Sequence, residues 1–142
     1  MELRNNLGIQ ILYLANASRE IKKAFRFLVE DYGFSVSRPV KSSFGRKVIY
    51  TKGKLKIILH YNFRDEFFYF YIVTNDVKIN ELYSKESEPF VKTFNDLAIK
   101  YNVNIKLKDL QPDKKQYLDS LQRNADLLKN YGEKILNMEE WF

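Results

Sequence analysis

The side chains that most often carry acid–base or nucleophilic chemistry are scarce in this chain. His60 is the single histidine, and without cysteine there is neither a thiol nucleophile nor a thiolate metal site. A hydrolytic site would use His60 as the base beside a nucleophile. The surrounding pattern instead predicts that His60 lies in mid-strand, on the outer face of a sheet. We therefore predict that His60 is not catalytic and that the chain is not an enzyme.

Metal and phosphate chemistry lack their usual sequence patterns. Asp65 and Glu66 are the only adjacent acidic pair near the predicted sheet, and together with Asp31 they match no recognised metal-ligand spacing. The glycines of this region are isolated, so they form no phosphate loop: Gly33, Gly45 and Gly53. We predict neither a metal nor a cofactor. A metal-dependent nuclease, with carboxylates and a lysine on the sheet, is kept as a third alternative function.

Basic residues are concentrated in the first half of the chain. Residues 1–64 hold 13 Lys and Arg against four Asp and Glu, whereas residues 65–142 hold 11 against 14, within a net charge of +6. Residues 35–64 include no acid and eight basic residues: Arg38, Lys41, Arg46, Lys47, Lys52, Lys54, Lys56 and Arg64. Such a field attracts an acidic protein or a nucleic acid. A solvated surface without a specific partner is the alternative.

The sequence does not have the pattern of a membrane or secreted protein. No apolar run approaches the roughly 18 residues of a membrane span. The segment from Leu7 to Ala17 ends like a signal-peptide cleavage site, but residues 1–6 carry no net positive charge. We therefore expect a cytoplasmic protein in which this segment packs into the core. A length of 142 residues predicts a single domain, residues 1–142.

Hydrophobic periodicity predicts an α+β fold. Helical spacing predicts an N-terminal helix from Ser18 to Tyr32, ended by Gly33. Its inward stripe is Ile21, Ala24, Phe25, Leu28, Val29 and Tyr32. A period of two then predicts a four-stranded antiparallel meander. Its strands are a short one at residues 34–36, ended by Pro39, and longer ones at residues 46–51, 54–61 and 67–74.

Two or three helices are predicted after the sheet. One begins at Ser87, with Pro89 in its first turn, and extends to Tyr101. Residues 102–109 alternate and predict an extended piece or edge strand. The next helix opens at Pro112 and ends or bends at Gly132, with an inward stripe of Tyr117, Leu118, Leu121, Ala125 and Leu128. A short segment with Ile135, Leu136 and Trp141 follows.

Two predicted turns set the register of the meander. A turn at Lys52-Gly53 places Tyr50 opposite Leu55, and a turn at Arg64-Asp65 places Tyr61 opposite Phe68. Both turns give the same nine-residue apolar core face: Val48, Tyr50, Leu55, Ile57, Leu59, Tyr61, Phe68, Phe70 and Ile72. The helices are expected to bury their stripes on this face.

The other face of the sheet is the candidate binding site. It is basic near the first hairpin and aromatic on the last strand, and its candidate partner-binding residues are Lys47, Ile49, Lys54, Lys56, Ile58, His60, Phe67, Tyr69 and Tyr71. If bare, its apolar and aromatic side chains would present about 600 Å² or more, which is at or above the largest apolar patch usual on a soluble monomer. We therefore expect the face to be covered, either by Trp141 and Phe142 or, as we favour, by a partner.

Three stretches resemble a group of small bacterial proteins of the toxin-immunity or interaction type. They are "FRFLVEDYGF" from residue 25, "VIYTKGKLKIILHYNFRDEFFYFYI" from residue 48 and "NADLLKNYGEKILNMEEW" from residue 124. The resemblance implies an α+β protein that binds another protein, and it implies no catalytic residue. Inhibitors of basic nucleases are usually acidic, so the basic charge of this chain favours an acidic toxin domain as the partner.

These observations predict a non-enzymatic protein-binding module, most simply an immunity-type protein that neutralises a cognate toxin. The alternative is a nucleic-acid-binding protein that uses the basic outer face of the sheet, because exposed tyrosines beside lysines suit base stacking. The aromatic-glycine signature of RNA-binding sheets is missing. A homodimer across the same face is also compatible with the pattern, whereas a membrane partner is not predicted.

Overall fold

The structure is a computed structural model that describes residues 16–112 and 117–142. The described chain begins within a helix, α1, whose described residues are 16–24, and α2 (Arg26–Glu30) follows. The strands are β1 (Ser35–Val36), β2 (Val40–Lys41), β3 (Gly45–Lys52), β4 (Leu55–Asn62), β5 (Phe67–Val73) and β6 (Val91–Thr93). The later helices are α3 (Phe94–Lys100), α4 (Tyr117–Tyr131) and α5 (Glu133–Leu136). The predicted α+β class is confirmed.

The sheet is antiparallel, in the order β1-β3-β4-β5-β6, and β2 also pairs with β3. It has more strands than the four predicted, for two reasons. The short first strand is followed, beyond Pro39, by a second piece that pairs further along β3. β6 adds a short strand on the far side of β5. The central meander of β3, β4 and β5 is as predicted.

The register of the second hairpin is confirmed, and that of the first is shifted by two residues. Tyr61 lies opposite Phe68 as predicted. In the first hairpin Tyr50 lies opposite Ile57 rather than Leu55, because the two loop residues are Gly53 and Lys54. A shift of two keeps every side chain on its own face. All nine predicted core-face residues consequently belong to one buried cluster.

The helices cover this core face. Phe25 packs edge-on against Phe70, with ring centroids 5.9 Å apart, and against Phe94 at 6.1 Å. Leu97, Leu121 and Leu136 join the same cluster from the later helices. Burial of apolar surface on this scale is the main stabilising contribution to the fold.

The N-terminal helix is interrupted at Phe25, which sequence periodicity did not predict. The N–H of Leu28 donates to the carbonyl of Phe25, only three residues earlier, so the helix tightens there. Ile21, Phe25 and Leu28 of the predicted stripe are buried, and Ala24 and Tyr32 pack against the same cluster. Phe27 is buried, whereas Val29, predicted to face inward, is 40% exposed. The predicted stop is confirmed, because Gly33 has a φ of +74°.

The predicted helix start at Ser87 is wrong. Residues Lys85–Phe90 form a 3-10 segment, β6 follows, and α3 begins only at Phe94. Thr93 caps α3: the N–H of Asp96 donates to Thr93 Oγ1, and the N–H of Thr93 donates to Asp96 Oδ2. A helix start at this later point leaves Phe90 and Val91 available to the other face of the sheet.

The last part of the chain follows the prediction more closely. Four of the five stripe residues of α4 are buried, while Leu118 is 53% exposed. α4 ends at Tyr131, and a Cβ on Gly132 would lie 2.6 Å from the Leu128 carbonyl oxygen, so glycine fits the bend. Residues 103–106 belong to no helix or strand, so the predicted edge strand is not formed, and a 3-10 turn, Leu107–Leu110, follows. The helix predicted to open at Pro112 is described from Tyr117 onward; Pro112 itself is not helical, and residues 113–116 and most of the Leu7–Ala17 segment lie outside the described residues.

The Gln111 side chain occupies part of one edge of the sheet. β5 is paired with β6 only from Tyr71 to Val73. Further back along β5, the N–H of Phe68 donates to Gln111 Oε1 at 2.7 Å, and Gln111 Nε2 donates to the Phe68 carbonyl at 3.2 Å. The Gln111 amide thus makes the pair of hydrogen bonds that a neighbouring strand would make.

Candidate functional site

The outer face of the sheet is divided into a covered half and an open half. In the covered half, Ile58 and Val73 form a second cluster with Val77 and Leu82 from the connection between β5 and β6. Ile49, Tyr71, Phe90 and Val91 pack against this cluster. The covering segment is therefore residues 75–90 of the same chain, an occupant that the sequence analysis did not consider.

The C-terminal residues do not cover this face. Trp141 and Phe142 pack against the main core cluster instead. Trp141 Nε1 donates to the Pro89 carbonyl at 2.9 Å, and Lys100 lies 3.4 Å from the Glu140 carboxylate. The alternative in which Trp141 and Phe142 cover the outer face is therefore wrong. Their contacts hold the chain end beside α3 and the start of β6.

Five of the predicted partner-binding residues do not lie on the open half. Ile58 is 1% exposed, and Ile49 and Tyr71 pack against its cluster. Lys56 Nζ donates to the Val77 carbonyl at 3.4 Å. Lys54 lies in the loop of the first hairpin, outside the paired strands. Ile49, Ile58, Lys56 and Tyr71 thus hold the covering segment rather than form a free surface.

The other four predicted residues remain together on the open half. Lys47, His60 and Tyr69 lie directly opposite one another on β3, β4 and β5, and Val40 on β2 extends the row. Strands are about 4.8 Å apart, so the row spans about 14 Å. Phe67 lies beside Tyr69, with ring centroids 4.8 Å apart. We call these residues the open patch: Val40, Lys47, His60, Phe67 and Tyr69.

His60 lies between its neighbours in a partly buried position. Its ring centroid is 5.8 Å from that of Tyr69. A Cβ on Gly45 would come within 2.8 Å of His60 Nε2, so the absence of a side chain at Gly45 makes room for the imidazole. Burial lowers the pKa of His60, and the charge of Lys47 lowers it further, while Asp65 opposes the shift. His60 is consequently neutral at pH 7.

Tyr69 is held at the border of the open patch. Its hydroxyl donates to Asp65 Oδ2 at 3.1 Å. Desolvation and this hydrogen bond raise the pKa of Tyr69, so its hydroxyl stays protonated and continues to donate to Asp65. The adjacent Tyr83 is 80% exposed, and its hydroxyl lies 3.1 Å from that of Tyr71. Tyr83 therefore extends the exposed aromatic surface beyond the open patch.

The surroundings of His60 present rings and a lysine rather than a set of converging ligands. Across the described residues, no group of three or more His, Asp and Glu side chains is placed to hold a metal ion. No helix in the described ranges is both long enough and apolar enough to cross a membrane. The geometry of the open patch suits contact with another molecule through flat rings and a positive charge.

The covering segment was missed because its sequence signal is weak. Val77 and Leu82 are separate apolar residues within a polar stretch that has neither a helical period nor a period of two. The available signal was the mixed composition of the outer face itself. Ile49, Ile58 and Val73 lie near one another across three strands and are all aliphatic. Lys47, His60 and Tyr69 also lie next to one another across these strands, but none of them is aliphatic.

The state of His60 predicts a pH dependence of stability. The pKa is 6.5 in the unfolded chain and lower in the folded protein, so above pH 6.5 neither state is protonated at His60. As the pH falls below 6.5 the unfolded state takes up the proton first, which lowers the free energy of unfolding down to the folded-state pKa. We expect urea denaturation at pH 7.5 and pH 5.5 to show this loss. His60→Gln is the matched control, because it should show a smaller loss between the two pH values. An equal loss in both proteins would contradict the assignment.

Comparison with protein-family models, with curated proteins and with solved structures finds no match to this chain. The resemblance to small immunity-type proteins therefore stays a prediction.

Proposed function

We propose that this chain is a non-enzymatic protein-binding module and that the open patch is its partner-binding surface. The observation that supports the proposal is the row of Lys47, His60 and Tyr69 across three strands, with Phe67 against Tyr69. Aromatic anchors within a partly polar surface are typical of the energetic centres of protein interfaces. A rigid sheet presents them with little loss of conformational entropy on binding.

The charge around the open patch favours an acidic partner. Lys47 lies within it, and the basic residues Arg38, Lys41 and Arg64 are exposed on the neighbouring loops and strand β2. Asp65 and Glu66 are the adjacent acidic residues, and Asp65 already accepts from Tyr69. This excess of positive charge would increase the association rate of a partner with an acidic surface, and it would increase the specificity for that partner.

The finer form of the proposal is an immunity-type protein that neutralises a cognate toxin. It draws on the resemblance described above and on the absence of a converging set of ligands around His60 in the described residues. A toxin-like reading frame immediately upstream of the gene is the expected genomic context. Co-expression should then protect a host cell from that toxin, and a variant that has lost the open patch should not.

Nucleic-acid binding is the alternative, and the adjacent rings of Phe67 and Tyr69, on the same face as Lys47, favour it. The Asp65 carboxylate at the Tyr69 hydroxyl weakens it, because it places negative charge where a phosphate backbone would pass. Salt dependence separates the two functions. Affinity for nucleic acid falls steeply as salt rises, with a slope set by the number of phosphates neutralised.

The test uses two variants of the open patch with matched controls. Tyr69→Ser removes an anchor and Lys47→Glu reverses the charge, whereas Tyr131→Ser and Lys54→Glu make the same changes at exposed positions elsewhere. The immobilised protein is used to capture a partner from a lysate of the source cells, and that partner is then identified and purified. We expect each open-patch variant to weaken its binding at least about tenfold, in the range of an interface hot spot.

Two results would contradict the proposal. One is a purified partner that binds all four variants equally, which would place the interface elsewhere. The other is a captured species that is lost on nuclease treatment, which would support the nucleic-acid alternative. Light scattering of the protein alone tests the homodimer, since Tyr69→Ser should then convert a dimer into a monomer.

A further inference from the structure

The two edges of the sheet differ in how far they are occupied. At one edge, β6 and the Gln111 amide bond the outer side of β5. At the other edge, β1 and β2 pair with β3 on their inner side, and no segment among the described residues pairs with their outer side. The side chains here are exposed, Val36 by 41% and Val40 by 52%. This second edge is therefore accessible to another strand.

The register shows which backbone groups of β2 point outward. In an antiparallel pair, residues that exchange hydrogen bonds alternate with residues that do not. The N–H of Ser42 donates to the Gly45 carbonyl, so the preceding residue, Lys41, forms a non-hydrogen-bonded pair with Arg46. The N–H and the carbonyl of Lys41 consequently point away from β3. They are the donor and acceptor that an incoming antiparallel strand requires.

The charge of this edge decides between a second copy of the chain and a different partner. Arg38 and Lys41 are exposed there, and Lys41 shares its face of the sheet with Arg46. Arg46 Nη1 donates to the carbonyls of Ser42 and Gly45, both at 2.8 Å, which fixes the guanidinium beside the end of β2. Two copies paired along β2 would bring these like charges together, which is unfavourable. A strand with acidic side chains would be attracted instead.

We propose that β2 binds an extended acidic segment of the partner, which joins the sheet as an antiparallel strand beside Lys41. The proposal rests on the protein-binding function and specifies how the acidic partner is held, because Val40 belongs both to this edge and to the open patch. Side chains of the added strand alternate between the two faces. An acidic residue opposite Lys41 lies on the face of Arg46, and its apolar neighbours lie on the face of Val40. Pro39 has no N–H, so the added strand is short.

The experiment is an NMR titration of the full chain with a capped five-residue peptide of alternating glutamate and valine, with glutamate at its centre. We expect a saturable shift of the backbone N–H signal of Lys41. Two matched peptides each carry one N-methyl group. On the central glutamate, this group removes the N–H that donates to the Lys41 carbonyl, and we expect binding at least about tenfold weaker. On a valine, whose N–H points away from β2, it should change binding by less than about twofold.

Variants of the chain separate this inference from the proposed function. Lys41→Glu should abolish binding of the unmethylated peptide, whereas Lys54→Glu, the same change in the loop of the first hairpin, should not. Tyr69→Ser should leave the peptide bound, because Tyr69 lies on β5 and is separated from β2 by two strands, although it weakens binding of the whole partner. If the peptide fails to bind while binding of the whole partner still depends on Tyr69, strand addition is wrong and the proposed function stands.

Two further results would overturn the proposal. One is equal binding of the two N-methylated peptides, which would show attraction by charge without strand pairing. The other is a shift of the Lys41 signal with protein concentration in the absence of peptide, which would assign this edge to a second copy of the chain.

Discussion

Replacing Ile57 or Phe70 by alanine will lower the free energy of unfolding by about 2–5 kcal/mol, the range for large-to-small changes in a packed core. Ile57 is fully buried and Phe70 is 4% exposed, both at the centre of the main cluster. Phe70 also contacts Phe25, Phe68 and Phe94 through its ring. Each replacement leaves a cavity that the surrounding helices and strands cannot close without moving.

The measurement is urea denaturation followed by far-ultraviolet circular dichroism. Lys54→Ala is the control, since Lys54 is exposed in the loop of the first hairpin and its loss should cost no more than about 0.5 kcal/mol. If the three variants unfolded at similar urea concentrations close to that of the unchanged protein, the assignment of the core face would be wrong.

Ile58→Ala will also destabilise the protein by about 2–5 kcal/mol. Ile58 lies on β4 next to Ile57, but its side chain is on the outer face of the sheet. It is 1% exposed because Val77 and Leu82 pack over it. Tyr69→Ser will cost no more than about 1 kcal/mol, because Tyr69 lies on the open patch and its loss leaves no enclosed cavity.

The same denaturation measurement checks this contrast between the two halves of the outer face. Tyr71→Ser provides an intermediate case, since Tyr71 packs at the border of the covered half and its hydroxyl lies 3.1 Å from that of Tyr83. A small effect of Ile58→Ala would show that residues 75–90 do not form a stable cover. A large effect of Tyr69→Ser would show that the open patch belongs to the packed interior.

The meander was predictable because its two sequence signals, the alternation of side chains and the turn residues, are local and strong. Alternation of side chains assigns a face to every strand residue, and an error of two residues in the first hairpin changed no face. The core-face residues and the outer-face position of Lys47, His60 and Tyr69 followed from this alternation alone, whereas the predicted register placed Lys47 opposite Ile58 rather than His60. The stop at Gly33 was also predictable, because glycine adopts a positive φ without strain.

The remaining features depend on contacts between distant residues. Whether Phe90 and Val91 continue a helix or pack on the outer face depends on Ile49 and Ile58, some 30 or more positions away. At the interruption of the first helix, the ring of Phe25 likewise contacts Phe70 and Phe94, which are distant in sequence. Local periodicity does not report contacts between residues that are distant in sequence. For this reason the predicted site included four residues that in fact contact the covering segment.

The Gln111 amide has a consequence for the behaviour of this protein in concentrated solution. The segment from Phe67 to Val73 is seven uncharged residues of high strand propensity without proline or glycine, a composition that favours stacking of identical segments into cross-β fibrils. Such stacking begins when an unpaired strand edge meets a copy of itself. The two hydrogen bonds from Gln111 to Phe68 occupy that edge at one end, and β6 occupies it at the other. A single glutamine side chain thus contributes to colloidal stability, because it denies an incoming chain the backbone groups with which self-assembly would start.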